Sequence, residues 1–350
     1  MTTEEQTHLD PSNMRGLILG FPHQVEEAVA IAEASTIRFP IAKIRNIVIS
    51  GLGGSAIGGD LLRSYLAGEI DIPIAVSRHY FLPDYVNEHS LVIVSSYSGN
   101  TEETVSSHKD ATKRKAKTLC ITSGGTVKRF AEKWKQPIIQ IPGGLPPRAA
   151  LGYSFFPTLI AVSKLGFVKS KKNEILETIS LLKEKAKIYG DPESPDNKAF
   201  RIAQSLVGKL PVVYSSADRF DTVNVRWRGQ MSENAKTLAY GHVFPELNHN
   251  EIVGWEVLKD IMKKIHVILL RDDGDYARVQ LRMKITKEVI REFADGITEV
   301  HSEGKSLLAR IFSLLYLGDW VSFYLAMANG VDPTPVKKID LLKEELAKVS

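Results

Sequence analysis

Residues 47–60, Ile47-Val-Ile-Ser-Gly-Leu-Gly-Gly-Ser-Ala-Ile-Gly-Gly-Asp60, decide the fold. Ile47, Val48 and Ile49 form a continuous apolar run rather than an alternating one, which reads as a strand covered on both faces. Glycines then let the backbone turn tightly, and helical spacing follows from Asp60 to Leu66. A buried strand, a glycine-rich loop and a helix, in that order, predict a doubly wound α/β sheet.

Outward from this stretch the same alternation repeats. Ile72–Val76, Leu91–Ser95, Thr118–Thr122 and Pro137–Ile141 read as further strands, with a helix over Thr101–Thr112. After a helical stretch that runs roughly from Arg148 to Tyr189 the pattern restarts, with strands at Leu210–Ser216, Ile265–Leu270 and Ile297–His301. Gly190-Asp-Pro-Glu-Ser-Pro-Asp196 interrupts any helix and marks a linker. The expectation is an α/β protein with two doubly wound, flavodoxin-like parallel sheets. An N-terminal domain spans residues 1–155, with a helical extension and the glycine-rich loops. A helical linker covers 156–195, and a C-terminal domain covers 196–350.

Composition narrows the function. A chain of 350 residues can bury two cores, and its formal charge of +4 arises without long basic runs. Lys113-Arg-Lys115 and Lys171-Lys172 read as solvated helix faces, and no basic stripe carries interleaved aromatics, so no nucleic-acid partner is expected. The sole cysteine, Cys120, cannot form an internal disulfide, which suits a reducing compartment. Met1-Thr-Thr-Glu-Glu-Gln6 is polar and acidic, so no signal peptide is visible. Ile311-Phe-Ser-Leu-Leu-Tyr-Leu317 is broken by Gly318 and Asp319 and is too short to span a bilayer. A soluble, cytoplasmic protein with no membrane contact is expected. The His and Glu positions lack compact ligand spacing and no cysteine cluster exists, so neither a metal nor another cofactor is expected.

Two loops are suited to an anion. Gly51–Asp60 leads from a strand into a helix, where glycines admit close approach and free N–H groups point outward. A dinucleotide loop has a similar look, but the second strand ends in Ser77-Arg78-His79, with no acid for a ribose. No Gly-Lys-Ser/Thr follows to grip a triphosphate. The second loop, Ser95-Ser-Tyr-Ser-Gly-Asn-Thr-Glu-Glu-Thr104, gathers Ser96, Ser98 and Thr101 at the positive end of a helix. One such residue is explained by helix capping; three beside a glycine favour a phosphate.

Three more residues carry candidate chemistry. Glu233 lies on a helix in Arg226-Trp-Arg-Gly-Gln-Met-Ser-Glu-Asn-Ala-Lys236, where it is either a surface ion-pair partner or a base. His249 sits between two asparagines that could fix its ring, and histidine titrates in the range useful for moving a proton near neutral pH. Arg148 follows a Pro-Pro turn, placed either for a hinge ion pair or to steady developing negative charge.

Gly53-Gly54-Ser55, the Ser95–Thr104 loop, Leu145-Pro-Pro-Arg-Ala-Ala-Leu-Gly-Tyr153 and the Glu233 and His249 segments together resemble a known family. The two loops look like a sugar isomerase (SIS) domain, a phosphosugar-binding module. The full set is similar to the bifunctional phosphoglucose/phosphomannose isomerases, a two-SIS-domain group. The resemblance implies interconversion of glucose 6-phosphate and mannose 6-phosphate with fructose 6-phosphate through a cis-enediol(ate). It implies Glu233 as proton shuttle, Arg148 in the active site, and a homodimer in which the partner supplies His249. It also implies a C-terminal lysine for ring opening; Lys343 is chosen, with Lys337 and Lys338 as rivals. Gly53, Gly54 and Ser55 would lie beneath the sugar. A non-catalytic phosphosugar regulator, or an SIS enzyme acting on amino-sugar phosphates, are the alternatives.

Overall fold

The computed structural model describes residues 8–41 and 43–348; Met1–Gln6, the stretch read for a leader, lies outside the described residues. Strands β1 (Asn46–Ser50), β2 (Ile74–Ser77), β3 (Ser90–Ser96), β4 (Lys117–Thr122) and β5 (Ile138–Gln140) form one parallel sheet in the order β2-β1-β3-β4-β5. Every residue of β3 is buried, as are Ile47–Ser50 of β1, so the unalternated runs do mark covered strands. β6 (Leu210–Ser216), β7 (Tyr240–Phe244), β8 (Ile265–Arg271) and β9 (Gly296–His301) form the second parallel sheet, in the order β7-β6-β8-β9. The α/β class and the two doubly wound sheets are as expected.

β7 is the one strand that the apolar pattern did not show. Tyr240-Gly-His-Val-Phe244 is an edge strand with only Phe244 buried, so it needs no continuous apolar run.

The helices of eight residues or more are, in chain order, α1 (Phe21–Ala34), α2 (Gly54–Leu66), α3 (Glu102–Lys113), α4 (Gly125–Lys133), α5 (Leu151–Lys164) and α6 (Lys172–Tyr189). Then come α7 (Lys198–Ser205), α8 (Asp221–Glu233), α9 (Ala277–Ile290), α10 (Leu307–Ala328) and α11 (Lys337–Leu346). Helices α5 and α6, which make up most of residues 156–195, lie in a core cluster that reaches from Met14 to Met327. α5 packs on α1 and α2, while α6, α7 and α8 pack on α10.

α10 corrects the sequence reading of its own segment. Gly318 and Asp319 do not break it; one buried helix runs through both. It is long and apolar enough to cross a membrane, yet nearly all of it is enclosed by other helices. A side chain at 318 would meet the Trp227 indole at 2.4 Å, so glycine lets α8 and α10 approach closely. Asp319 is matched from α8: Arg226 donates through Nε at 3.1 Å and Nη2 at 2.8 Å, and Gln230 Nε2 at 2.8 Å. Both ends of the Arg226–Asp319 pair are buried. Replacing Asp319 by Ala leaves a buried guanidinium without its carboxylate and should cost roughly 3–5 kcal/mol of stability in urea unfolding. Arg226→Met combined with Asp319→Leu should recover much of that loss.

Candidate active site

The order of the first sheet reverses between β1 and β3, which places a crevice beyond their carboxyl ends. Both loops read as anion sites open there. After β1 the chain turns through Gly53 at φ 53°, and α2 starts at Gly54 with no side-chain cap; the Ser55 and Ala56 N–H groups turn back to the Leu52 carbonyl at 3.1 and 3.4 Å. A Cβ on Gly54 would lie 2.6 Å from the Pro147 carbonyl oxygen, so glycine here lets the loop touch the turn that carries Arg148. Ser154 Oγ donates to the Gly54 carbonyl at 3.2 Å from the other side.

After β3, Ser96 is buried, Ser98 is exposed and Thr101 is half-buried at the N-cap of α3. The Thr101 hydroxyl does not cap the helix; it accepts a long hydrogen bond from Ser96 Oγ at 3.4 Å. Plain helix capping therefore does not account for it. Gly99 holds the loop's shape at φ 70°, packed so tightly that a Cβ would come within 1.8 Å of the Gly124 carbonyl oxygen. Asn100 Oδ1 accepts from the Thr126 N–H at 3.0 Å, fixing the loop to the start of α4.

Tyr97 joins these loops to Arg148. Its N–H donates to Ser55 Oγ at 3.3 Å, and its carbonyl accepts from Ser123 Oγ at 2.7 Å. Its phenol oxygen accepts the Leu145 N–H at 3.0 Å, three residues before Arg148. Burial raises the Tyr97 pKa, so the phenol stays neutral.

Arg148 lies in a short turn, Pro147–Ala149, held from below by α1. Gln24 Nε2 donates to the Ala149 carbonyl and Gln24 Oε1 accepts from the Gly152 N–H, each at 2.8 Å. The guanidinium is buried and divides its bonds. Nε donates to Asn234 Oδ1 at 2.6 Å; Nη2 donates to the carbonyls of Pro333 at 2.6 Å and Thr334 at 2.7 Å. Nη1 faces Glu233 Oε2 at 3.5 Å. Burial lowers the arginine's pKa, and the Glu233 carboxylate pulls it back up.

Glu233 ends α8, half-buried, with 37% of its side chain exposed beside an arginine that is 5% exposed. Its carboxylate thus stands at the rim of the cleft, with one oxygen towards Arg148. Lys236 bonds the same region through Nζ, to the carbonyls of Glu233 at 2.5 Å and Pro335 at 2.7 Å. Backbone from the C-terminal segment therefore crosses the site.

The fold sets Gly54 against the turn of Arg148, Ser55 against Tyr97 of the second loop, Ser96 against Thr101, and Arg148 against Glu233. His249 and Lys343 do not join these residues within one chain: both are exposed, and neither side chain bonds them among the described residues. The asparagines beside His249 do not fix its ring, contrary to the sequence reading. Asn248 Nδ2 is held by Thr286 Oγ1 at 2.8 Å, and Asn250 Nδ2 by Glu246 Oε1 at 3.2 Å. Lys343 lies on α11, which buries no residue. Asn234, Gln24, Lys236 and the backbone of Pro333–Pro335 were missed. Asn234 stands next to Glu233 and could have been read with it; Gln24 lies far upstream in no motif.

Two family models match the chain: the bacterial phospho-glucose isomerase C-terminal SIS domain over residues 195–346, and the SIS domain over 40–136. A bifunctional phosphoglucose/phosphomannose isomerase of Caldicellulosiruptor bescii is 46% identical over 95% of this chain and 98% of its own. One of Aquifex aeolicus is 38% identical over 87% and 91%. Among solved structures, a Thermus thermophilus protein described as hypothetical shares the fold at a TM-score of 0.75 and 14% identity, covering 99% of this chain and 93% of its own.

Gly99 offers a direct check of the loop geometry. Gly99→Ala, strained both by its φ of 70° and by the Gly124 contact, should lose at least about 1–3 kcal/mol in thermal unfolding.

Proposed function

Because the chain belongs to the bifunctional phosphoglucose/phosphomannose isomerase family, we propose that it interconverts glucose 6-phosphate and mannose 6-phosphate with fructose 6-phosphate, using Glu233 to move the proton. It is an isomerase, and hexose phosphates are its substrates. Ser96, Ser98 and Thr101, with the N–H groups at the start of α3, hold the phosphate. Gly53, Gly54 and Ser55 line the floor beneath the sugar.

Glu233 takes the proton from C2 of the open-chain aldose and returns it to C1. The intermediate is a planar cis-enediolate that has lost the stereochemistry at C2, which is why two epimers can share one site. Arg148 balances the charge that grows on its oxygens. This assignment draws support from the division of the guanidinium's bonds, since Nε and Nη2 are committed elsewhere and Nη1 faces the carboxylate. That 3.5 Å approach of Arg148 to Glu233 carries the reading, because it joins the base from 196–350 to the phosphate loops of 1–155.

His249 and Lys343 open the ring, His249 acting from the partner of a cytoplasmic homodimer. Two features support the dimer. His249 is exposed and outside its own chain's cluster, and Val253, Val257, Leu258 and Ile261, just downstream of it, are all exposed apolar side chains.

Glu233→Gln should lower kcat for both substrate pairs by about 10²–10⁴-fold in a coupled assay, with KM little changed. Near-wild-type turnover in that variant would remove Glu233 from the mechanism. Mixing inactive Glu233→Gln with inactive His249→Asn, after dissociation and reassembly, should restore up to about a quarter of wild-type activity, since half the dimers then hold one complete site. No recovery would place His249 outside the partner's site.

A further inference from the structure

Lys236 occupies a position where a helix end usually carries glycine. The Thr237 N–H reaches back to the Met231 carbonyl at 3.2 Å, closing α8, and Lys236 takes the left-handed conformation at φ 57°. That conformation costs a residue with a Cβ some free energy. The conformation alone is not informative, because Lys115 and Lys135 adopt it after α3 and α4. Neither of their amines makes a hydrogen bond or ion pair among the described residues. Lys236 differs: its Nζ donates to the carbonyls of Glu233 at 2.5 Å, Pro335 at 2.7 Å and Pro333 at 3.3 Å.

These bonds link two things that the reaction requires. One is the end of α8, where Glu233 sits. The other is the segment Asp332–Pro335, which Arg148 also holds through the Pro333 and Thr334 carbonyls. The segment leads into α11, which buries no side chain, so the clipped carbonyls set where that helix begins. We propose that Lys236 is a positioning residue: its ammonium fixes the C-terminal segment across the Glu233–Arg148 pair and so places α11 at the mouth of the site. The inference rests on the assignment of Glu233 as the proton shuttle.

Lys236→Gly removes the amine and relieves the backbone in one step. Lys115→Gly relieves the same conformation at the amino-terminal edge of the first sheet, away from the loops, and serves as the control. Lys236→Gly should melt no lower than wild type and be inhibited by inorganic phosphate as before, while kcat falls on the order of tenfold. KM should change little, and Lys236→Arg should regain most of the lost rate. Lys115→Gly should keep its kcat. Full activity in Lys236→Gly overturns the assignment, as does a drop in Tm or weakened phosphate inhibition accompanying its loss of rate. Glu233→Gln measured alongside separates the two ideas. An active Glu233→Gln undoes the mechanism, whereas an inactive one beside a fully active Lys236→Gly undoes only the role of Lys236.

Discussion

The buried guanidinium of Arg148 is the constraint on which the rest of the site depends. A charge this deeply buried is tolerable only if it is paired and hydrogen-bonded, and this one donates to Asn234, Pro333 and Thr334 and faces the Glu233 carboxylate. These partners come from two stretches of chain, both distant in sequence from the arginine. Satisfying a single side chain therefore draws the end of α8, the C-terminal segment and the turn after β5 to one point.

The supports behind it are rigid. Asn234 Nδ2 donates to Ser322 Oγ at 2.9 Å, and Ser322 is anchored in the largely buried α10. Arg226 reaches from the Asp319 pair to the Arg148 carbonyl at 3.0 Å, so the buried ion pair holds the backbone of the Arg148 turn. From the opposite side α1 grips the same turn through Gln24. The loops after β1 and β3 are tied in through Tyr97 and through the contact of Gly54 with Pro147. The proposed proton shuttle needs its base held against the substrate to within a fraction of an ångström, which a frame of this kind supplies.

The second sheet repeats the strand order of the first but not its loop chemistry. Where β3 leads into hydroxyls and a glycine, β8 leads into Asp272, Asp273, Gly274 and Asp275. Asp272 is engaged by Arg310 Nε at 2.8 Å and Asp275 by Ser216 Oγ at 2.6 Å. Carboxylates at that place repel an anion, which on charge grounds leaves the proposed phosphate site to the first sheet.

What could be read from the sequence was what is local. The covered strands, the glycine turn and the hydroxyl-rich loop are each encoded within about ten residues, and the strands and the turns after them form where that pattern implies. What escaped depends on distant partners: Asp319 looked like a break until Arg226 met it, β7 carries no apolar run, and Lys236 gains meaning only from carbonyls almost a hundred residues away. His249 and Lys343 are legible as residues but not as geometry, because one chain does not bring them to the cleft. The central claim, proton transfer by a carboxylate at the solvent rim, is tested most directly by isomerising fructose 6-phosphate in deuterium oxide and reading the products by NMR. Deuterium at C2 of both glucose 6-phosphate and mannose 6-phosphate is the predicted result. Complete turnover with no label in either product would contradict a base that exchanges its proton with solvent at that rim.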